Sequence, residues 1–183
     1  LNKDQFTELC VVGVDGSEPR VLYSKKEELP APQAWSPDGT RILSIVRKKN
    51  DTGQIVLISL ADGSMRTLKT LEKDSPTKFD FSPDGRFVAY DLPPAGTSGQ
   101  RDIFVLEIET GRETPVVQHT ADDRLLGWTP DGTRILFSSD RAGRKDAWLI
   151  QVSGGKPQGL PELIKKDLGS VAPLGFTRTG AYY

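Results

Sequence analysis

One short motif constrains this chain more than anything else in it. Ala34-Trp35-Ser36-Pro37-Asp38-Gly39-Thr40-Arg41-Ile42-Leu43 returns as Asp80-Phe81-Ser82-Pro83-Asp84-Gly85-Arg86-Phe87-Val88-Ala89. It returns again as Gly127-Trp128-Thr129-Pro130-Asp131-Gly132-Thr133-Arg134-Ile135-Leu136. A degraded fourth copy is Gly175-Phe176-Thr177-Arg178-Thr179-Gly180-Ala181-Tyr182-Tyr183. The aromatic positions 35, 81, 128 and 176 lie 46, 47 and 48 residues apart. That period suits four-stranded propeller blades and is close to that of two-helix repeats.

Composition decides between the two. Between motifs the apolar runs are short and rich in β-branched residues: Ile42 to Val46, Ile55 to Leu60, Ile103 to Ile108, Ile135 to Ser138 and Trp148 to Val152. Gly, Pro, Asp or Asn bounds each run, and no segment carries capped helical spacing, so the runs predict strands. The 18 glycines and 13 prolines exceed an average share and agree with many turns. A second signal recurs out of phase: Asp15-Gly16, Asp62-Gly63, Thr110-Gly111 and Gly154-Gly155 each follow an apolar strand, where glycine supplies the positive φ of a hairpin turn. The unit is therefore strand A, Ser-Pro-Asp-Gly turn, strand B, variable loop, strand C, tight turn, strand D. Proline presets φ in the A–B turn, aspartate bonds its own backbone, and glycine takes the left-handed place. On this reading Trp35, Phe81 and Trp128 pack between blades. Asp38, Gly39, Asp84, Gly85, Asp131 and Gly132 are structural turn residues.

These residues resemble the WD40-like β-propeller repeat of the TolB family, which carries an aromatic-Ser-Pro-Asp-Gly core. The resemblance continues through Ser138-Ser139-Asp140-Arg141-Ala142-Gly143-Arg144-Lys145 before strand C and covers nearly the whole chain. It implies an all-β propeller of four-stranded antiparallel blades. It also implies a bacterial protein of the periplasm or envelope. It leaves the activity open, because the same repeat serves TolB, tricorn-type proteases and the propellers of prolyl oligopeptidase and dipeptidyl peptidase relatives.

The expected organisation is one partial propeller domain over residues 1–183. It comprises a half-blade at 6–24, blades at about 33–71, 79–118 and 125–160, and a terminal half-blade at 174–183. A chain that starts at Leu1 is read as a piece of a longer protein. The end halves could join into one blade of a four-bladed ring, belong to a larger ring, or pair with a second copy. The favoured expectation is a piece of a larger propeller, with self-association through open blade edges.

The sequence carries 24 Lys plus Arg against 25 Asp plus Glu, and this balance argues against a nucleic-acid binder. No apolar run is long enough for a membrane-spanning helix. The single cysteine, Cys10, precludes an internal disulfide and a multi-thiolate zinc site; it is expected to be a small buried apolar residue. No Gly-x-Ser-x-Gly elbow or phosphate-binding loop occurs. A triad on His119 with Asp122 or Asp123 lacks a nucleophile. No catalytic residue, cofactor or metal is expected.

Function is expected on the long B–C loops and D–A connectors, since variable loops on a rigid scaffold carry binding. These include Arg47 to Gly53, Asp91 to Arg101, Ser139 to Lys145, and the connectors Lys25 to Gln33, Leu71 to Lys78, Gln118 to Arg124 and Pro161 to Pro173. Within them Arg47, Lys48, Lys49, Arg141, Arg144 and Lys145 are the candidate contacts for an acidic protein or peptide partner. Two functions follow: a non-catalytic interaction scaffold, or the gating propeller of a prolyl oligopeptidase-like serine peptidase with its hydrolase domain elsewhere.

Overall fold

The computed structural model describes residues 6–49, 52–94, 99–169, 175–177 and 179–182. They form fourteen strands and, among the described residues, no helix. The chain divides into two compact units, Leu1–Ser75 and Pro76–Tyr183.

The first unit holds β1 (Phe6–Val11) and β2 (Arg20–Lys26) as a two-stranded sheet. It continues with a four-stranded meander, β3 (Glu28–Trp35), β4 (Arg41–Lys48), β5 (Gly53–Ser59) and β6 (Met65–Leu71). The second unit holds two further meanders. One is β7 (Phe79–Phe81), β8 (Phe87–Leu92), β9 (Asp102–Glu107) and β10 (Glu113–Val117). The other is β11 (Arg124–Trp128), β12 (Arg134–Ser139), β13 (Asp146–Ser153) and β14 (Lys156–Lys165). All pairings are antiparallel between sequence neighbours. These are propeller-type blades: three complete ones, with β1–β2 in the positions of strands C and D. The described part of the last segment contributes one bridge, Phe176↔Tyr182, where strands A and B begin; Leu174 and Tyr183 lie outside the described residues.

The A–B turn explains why the motif repeats. In each complete copy the hydroxyl of Ser36, Ser82 or Thr129 donates to the aspartate two residues on, at 2.5, 2.6 and 2.5 Å. The same carboxylate accepts the amide of Thr40, Arg86 or Thr133 at 3.0 Å. The hydroxyl oxygen then accepts the amide of Arg41, Phe87 or Arg134, where strand B begins. Gly39, Gly85 and Gly132 sit at φ 68°, 68° and 69°, the left-handed region that a side chain disfavours. In the fourth copy Thr179 replaces the aspartate, and the Thr177 amide bonds the Ala181 carbonyl at 2.8 Å. The corresponding Thr129 amide reaches Arg134, so the fourth turn is one residue tighter.

Strands B and C lie in the middle of each sheet with both faces covered, so they read as continuous apolar runs. In the second unit Trp128 of β11 packs among Phe87 and Ala89 of β8, Ile103 and Val105 of β9, and Ile135 and Phe137 of β12. It is 5% exposed. Phe81 is buried as well. Tyr90 sits between the rings of Phe79 and Phe104, each 5.8 Å away, and its hydroxyl donates to Glu113.

Several expectations need correction. Lys25 to Gln33 is mostly strand: β2 runs to Lys26 and β3 starts at Glu28, leaving Glu27 at φ 64° as the corner. Pro30 and Pro32 suggested a loop, but β3 is an edge strand, and proline's missing N–H costs nothing on an unpaired edge. For the same reason β14, with Pro157 and Pro161, runs on to Lys165. Trp35 is 55% exposed, unlike its two counterparts. Cys10 is exposed too, because it alternates with the inward-facing Leu9.

Candidate functional site

The B–C loops and D–A connectors of the second unit are anchored by carboxylates that are almost fully buried: Asp91, Asp102, Asp123 and Asp146. Asp91 ends β8. Its oxygens accept the Thr77 amide at 2.8 Å, the Thr77 hydroxyl, Arg101 Nε at 3.0 Å and the Leu125 amide at 3.2 Å. One side chain thus ties a B–C loop, the entry to its own blade and strand A of the next blade. Asp102 and Asp146 each open strand C. They accept the amides of His119 at 3.3 Å and Asp167 at 2.7 Å, just beyond strand D. Burial, followed by the nearby Asp123 charge, pushes the Asp102 carboxyl up from its ordinary value, against the lowering effect of the His119 amide.

Asp123, 0% exposed, receives Nη2 of Arg141 at 2.9 and 3.1 Å. Nε of Arg141 donates to Ser139 at 2.9 Å. The guanidinium lies 5.1 Å from the Phe137 ring centre and 5.0 Å from that of Trp148. An arginine held on a carboxylate and two aromatic faces is a framework element. Arg141, expected as a partner contact, therefore commits its donors to Asp123 of the preceding connector and to Ser139 of its own loop.

The other candidates fall out differently. Arg144 is exposed and reaches Asp167 at 3.6 Å, an exposed pair of little energetic weight. Lys145 is exposed, and its carbonyl accepts the Leu168 amide at 2.8 Å. In the first unit Arg47 donates to Ser75, and Lys49 pairs with Glu27 at 2.9 Å. Lys48 closes β4 opposite Glu28 in the ladder. Glu28 also accepts the Tyr23 hydroxyl. Asn50, Asp51 and the stretch 95–98 of the longest B–C insert lie outside the described residues.

The chemistry that a His119 triad would need is committed elsewhere. Nδ1 of His119 accepts the Ala121 amide at 3.1 Å, Asp122 pairs with Arg124 at 2.7 Å, and Asp123 holds Arg141. Among the described residues no group of three or more His, Cys, Asp or Glu is placed to hold a metal ion. Of the buried anchors the sequence reading singled out only Asp123, and that as a triad partner of His119 rather than as an anchor. A usable signal existed: Arg101-Asp102-Ile103-Phe104-Val105 and Lys145-Asp146-Ala147-Trp148-Leu149 both place a basic residue and an aspartate before an apolar strand C.

Comparison with known proteins agrees with this architecture. The Tol-Pal system protein TolB of Francisella tularensis subsp. mediasiatica is 26% identical over 151 residues, which cover 82% of this chain and 34% of that protein. The chain thus spans about a third of that curated relative. The crystal structure of TolB from Acinetobacter baumannii superposes with a TM-score of 0.59 at 20% identity, over 89% of this chain and 44% of that one. A prolyl endopeptidase structure gives a TM-score of 0.60 at 18% identity, over 84% of this chain and 25% of the other. These two likenesses show the fold. The family profile of the TolB β-propeller domain, PD40, matches residues 1–165, and the chain belongs to that family.

Proposed function

We propose that residues 1–183 form part of one β-propeller domain that works as a non-catalytic scaffold and grips a protein or peptide partner through its B–C loops and D–A connectors. The observation that carries this reading is the loop Ser139 to Lys145. Arg141 locks it onto buried Asp123, while Arg144 and Lys145 stay exposed beside that anchor. A rim held this rigidly loses little entropy on binding, and its outward cations suit an acidic segment. Arg47, Lys48 and Lys49 offer the same chemistry on the first unit. The Tol-Pal system assignment of the Francisella relative supports a protein partner.

The test is photo-crosslinking from Arg144 against crosslinking from Gly154, which lies in the C–D turn on the opposite loop face. A partner captured from Arg144 alone, and lost when Lys145→Glu is added, supports the reading. Equal capture from both positions sinks it. A second reading, the gating propeller of a serine peptidase, draws on the prolyl endopeptidase likeness. It requires a Gly-x-Ser-x-Gly hydrolase domain on the same polypeptide.

A further inference from the structure

The corner where the B–C loop meets the end of strand D is built the same way in both blades of the second unit. A buried aspartate opens strand C and accepts a backbone amide from just past strand D. Asp102 takes that of His119 at 3.3 Å, and Asp146 takes that of Asp167 at 2.7 Å. The residue two places before each aspartate then reaches the connector. In the β7–β10 blade it is Gln100, whose side-chain amide donates to the Thr120 carbonyl. In the β11–β14 blade it is Arg144, whose Nη1 lies 3.6 Å from Oδ2 of Asp167.

The carboxylate of Asp167 is not what closes this corner. The fold uses the Asp167 amide, and the next amide, that of Leu168, donates to the Lys145 carbonyl at 2.8 Å. The equivalent corner closes with a histidine in the same place. Asp167 takes φ 55°, which aspartate and asparagine accept better than most side chains, so asparagine would serve the backbone without a charge. What the carboxylate adds is an anion set against Arg144, with Lys145 and Lys166, both exposed, next to the two partners in the chain. The backbone clamp fixes where that anion sits. The pair itself is open to water, with side chains 75% and 66% exposed, and is weak enough to be exchanged.

We propose that Asp167 is an internal stand-in for a carboxylate of the partner, and that an acidic peptide segment binds by displacing it from Arg144. This rests on the reading of the rim as a binding surface and adds what the rim recognises and what competes for it. The backbone clamp stays closed through the exchange, so only the Asp167 side chain has to turn away. Apparent affinity falls by the fraction of molecules in which Arg144 is uncovered. An exposed pair of this kind lowers it by up to about fivefold. The fixed negative charge also repels an acidic ligand.

A dye-labelled hexaglutamate peptide, titrated with the protein at one ionic strength and followed by anisotropy, tests this. Asp167→Asn should tighten binding about three- to tenfold. Its melting temperature should stay within about 2 °C of wild type, because the clamp and the left-handed backbone are kept. Arg144→Gln should weaken binding, and Asp167→Asn added to it should gain less than about twofold. Glu109→Gln makes the same change of charge in the C–D turn on the other loop face, and should leave the dissociation constant unchanged. The proposal is overturned if Asp167→Asn brings no gain, if its gain persists without Arg144, if Glu109→Gln matches it, or if neither wild type nor Asp167→Asn binds the peptide. A melting temperature below that range assigns the carboxylate to the fold and overturns it too. Failure here, with a partner still captured from Arg144, removes the displacement and leaves the rim reading standing; loss of that capture removes the rim reading itself.

Discussion

Replacing Asp123 by alanine strands the guanidinium of Arg141 in a site where that side chain is only 14% exposed and the carboxylate was 0% exposed. Arg141 keeps Ser139 and the two aromatic faces but loses the two charge-assisted bonds at 2.9 and 3.1 Å. Breaking a buried pair from one side costs about 3–5 kcal/mol, because an uncompensated charge remains. Arg141→Met leaves the opposite charge buried and should cost a similar amount. The double variant leaves neither charge, and methionine can still fill space between Phe137 and Trp148. It should therefore lose only about 1–2 kcal/mol, far less than the sum of the single losses. For a chain of this size, 4 kcal/mol lowers Tm by roughly 8–16 °C. Urea titration followed by tryptophan fluorescence on all four members of the cycle measures the coupling. Strictly additive losses, or an Asp123→Ala loss under about 1 kcal/mol, would refute the framework role assigned to the pair.

Three further outcomes follow from the same contacts. Serine, threonine and backbone donors hold the turn carboxyls low: Asp38 falls from 3.8 to about 2, and Asp84 and Asp131 shift in the same direction. A depressed carboxyl contributes stability that is present above its unfolded value and lost as pH falls through the folded one. Acid unfolding should accordingly steepen below pH 3.8, and Asn at positions 38, 84 and 131 should flatten that limb in urea melts run at successive pH values. Asp80 runs the other way. Burial raises its carboxyl despite the Trp128 amide at 2.7 Å and the charge of Lys78, so its contribution is greatest at low pH and is lost as pH rises through the folded value. In the same melts Asp80→Asn should gain on wild type with rising pH. Gly127→Ala would place a methyl 2.8 Å from Asp80 Oδ2 at φ 153°, and should cost about 2–3 kcal/mol by urea titration, partly recovered by Asp80→Ala.

How far the sequence could be read depended on the range of the interaction that did the deciding. The Ser-Pro-Asp-Gly turns were legible because every bond in them joins residues two to five apart, so the pattern of types already contains the geometry. The strands were legible because a sheet covered on both faces demands short β-branched runs. The inner and outer edge strands were harder. Pro30, Pro32, Pro157 and Pro161 read as loop until the sheet order shows that their missing amides face no partner.

The candidate site turned on distance along the chain. Arg141 looked like any loop cation, and only folding brings Asp123, eighteen residues away, beneath it. Asp91 likewise finds Leu125 across 34 residues. Trp35 and Trp128 are the same residue in the same motif, so no local rule separates them; the residues that fold around each, such as Phe87 and Ala89 in the cluster that holds Trp128, do. Sequence alone therefore determined the repeat, the turn chemistry and the all-β blade, which are set by contacts within a few residues. Tertiary structure alone decided which loop charges are locked into the framework and which remain outward, because those depend on contacts between segments that the chain order keeps apart.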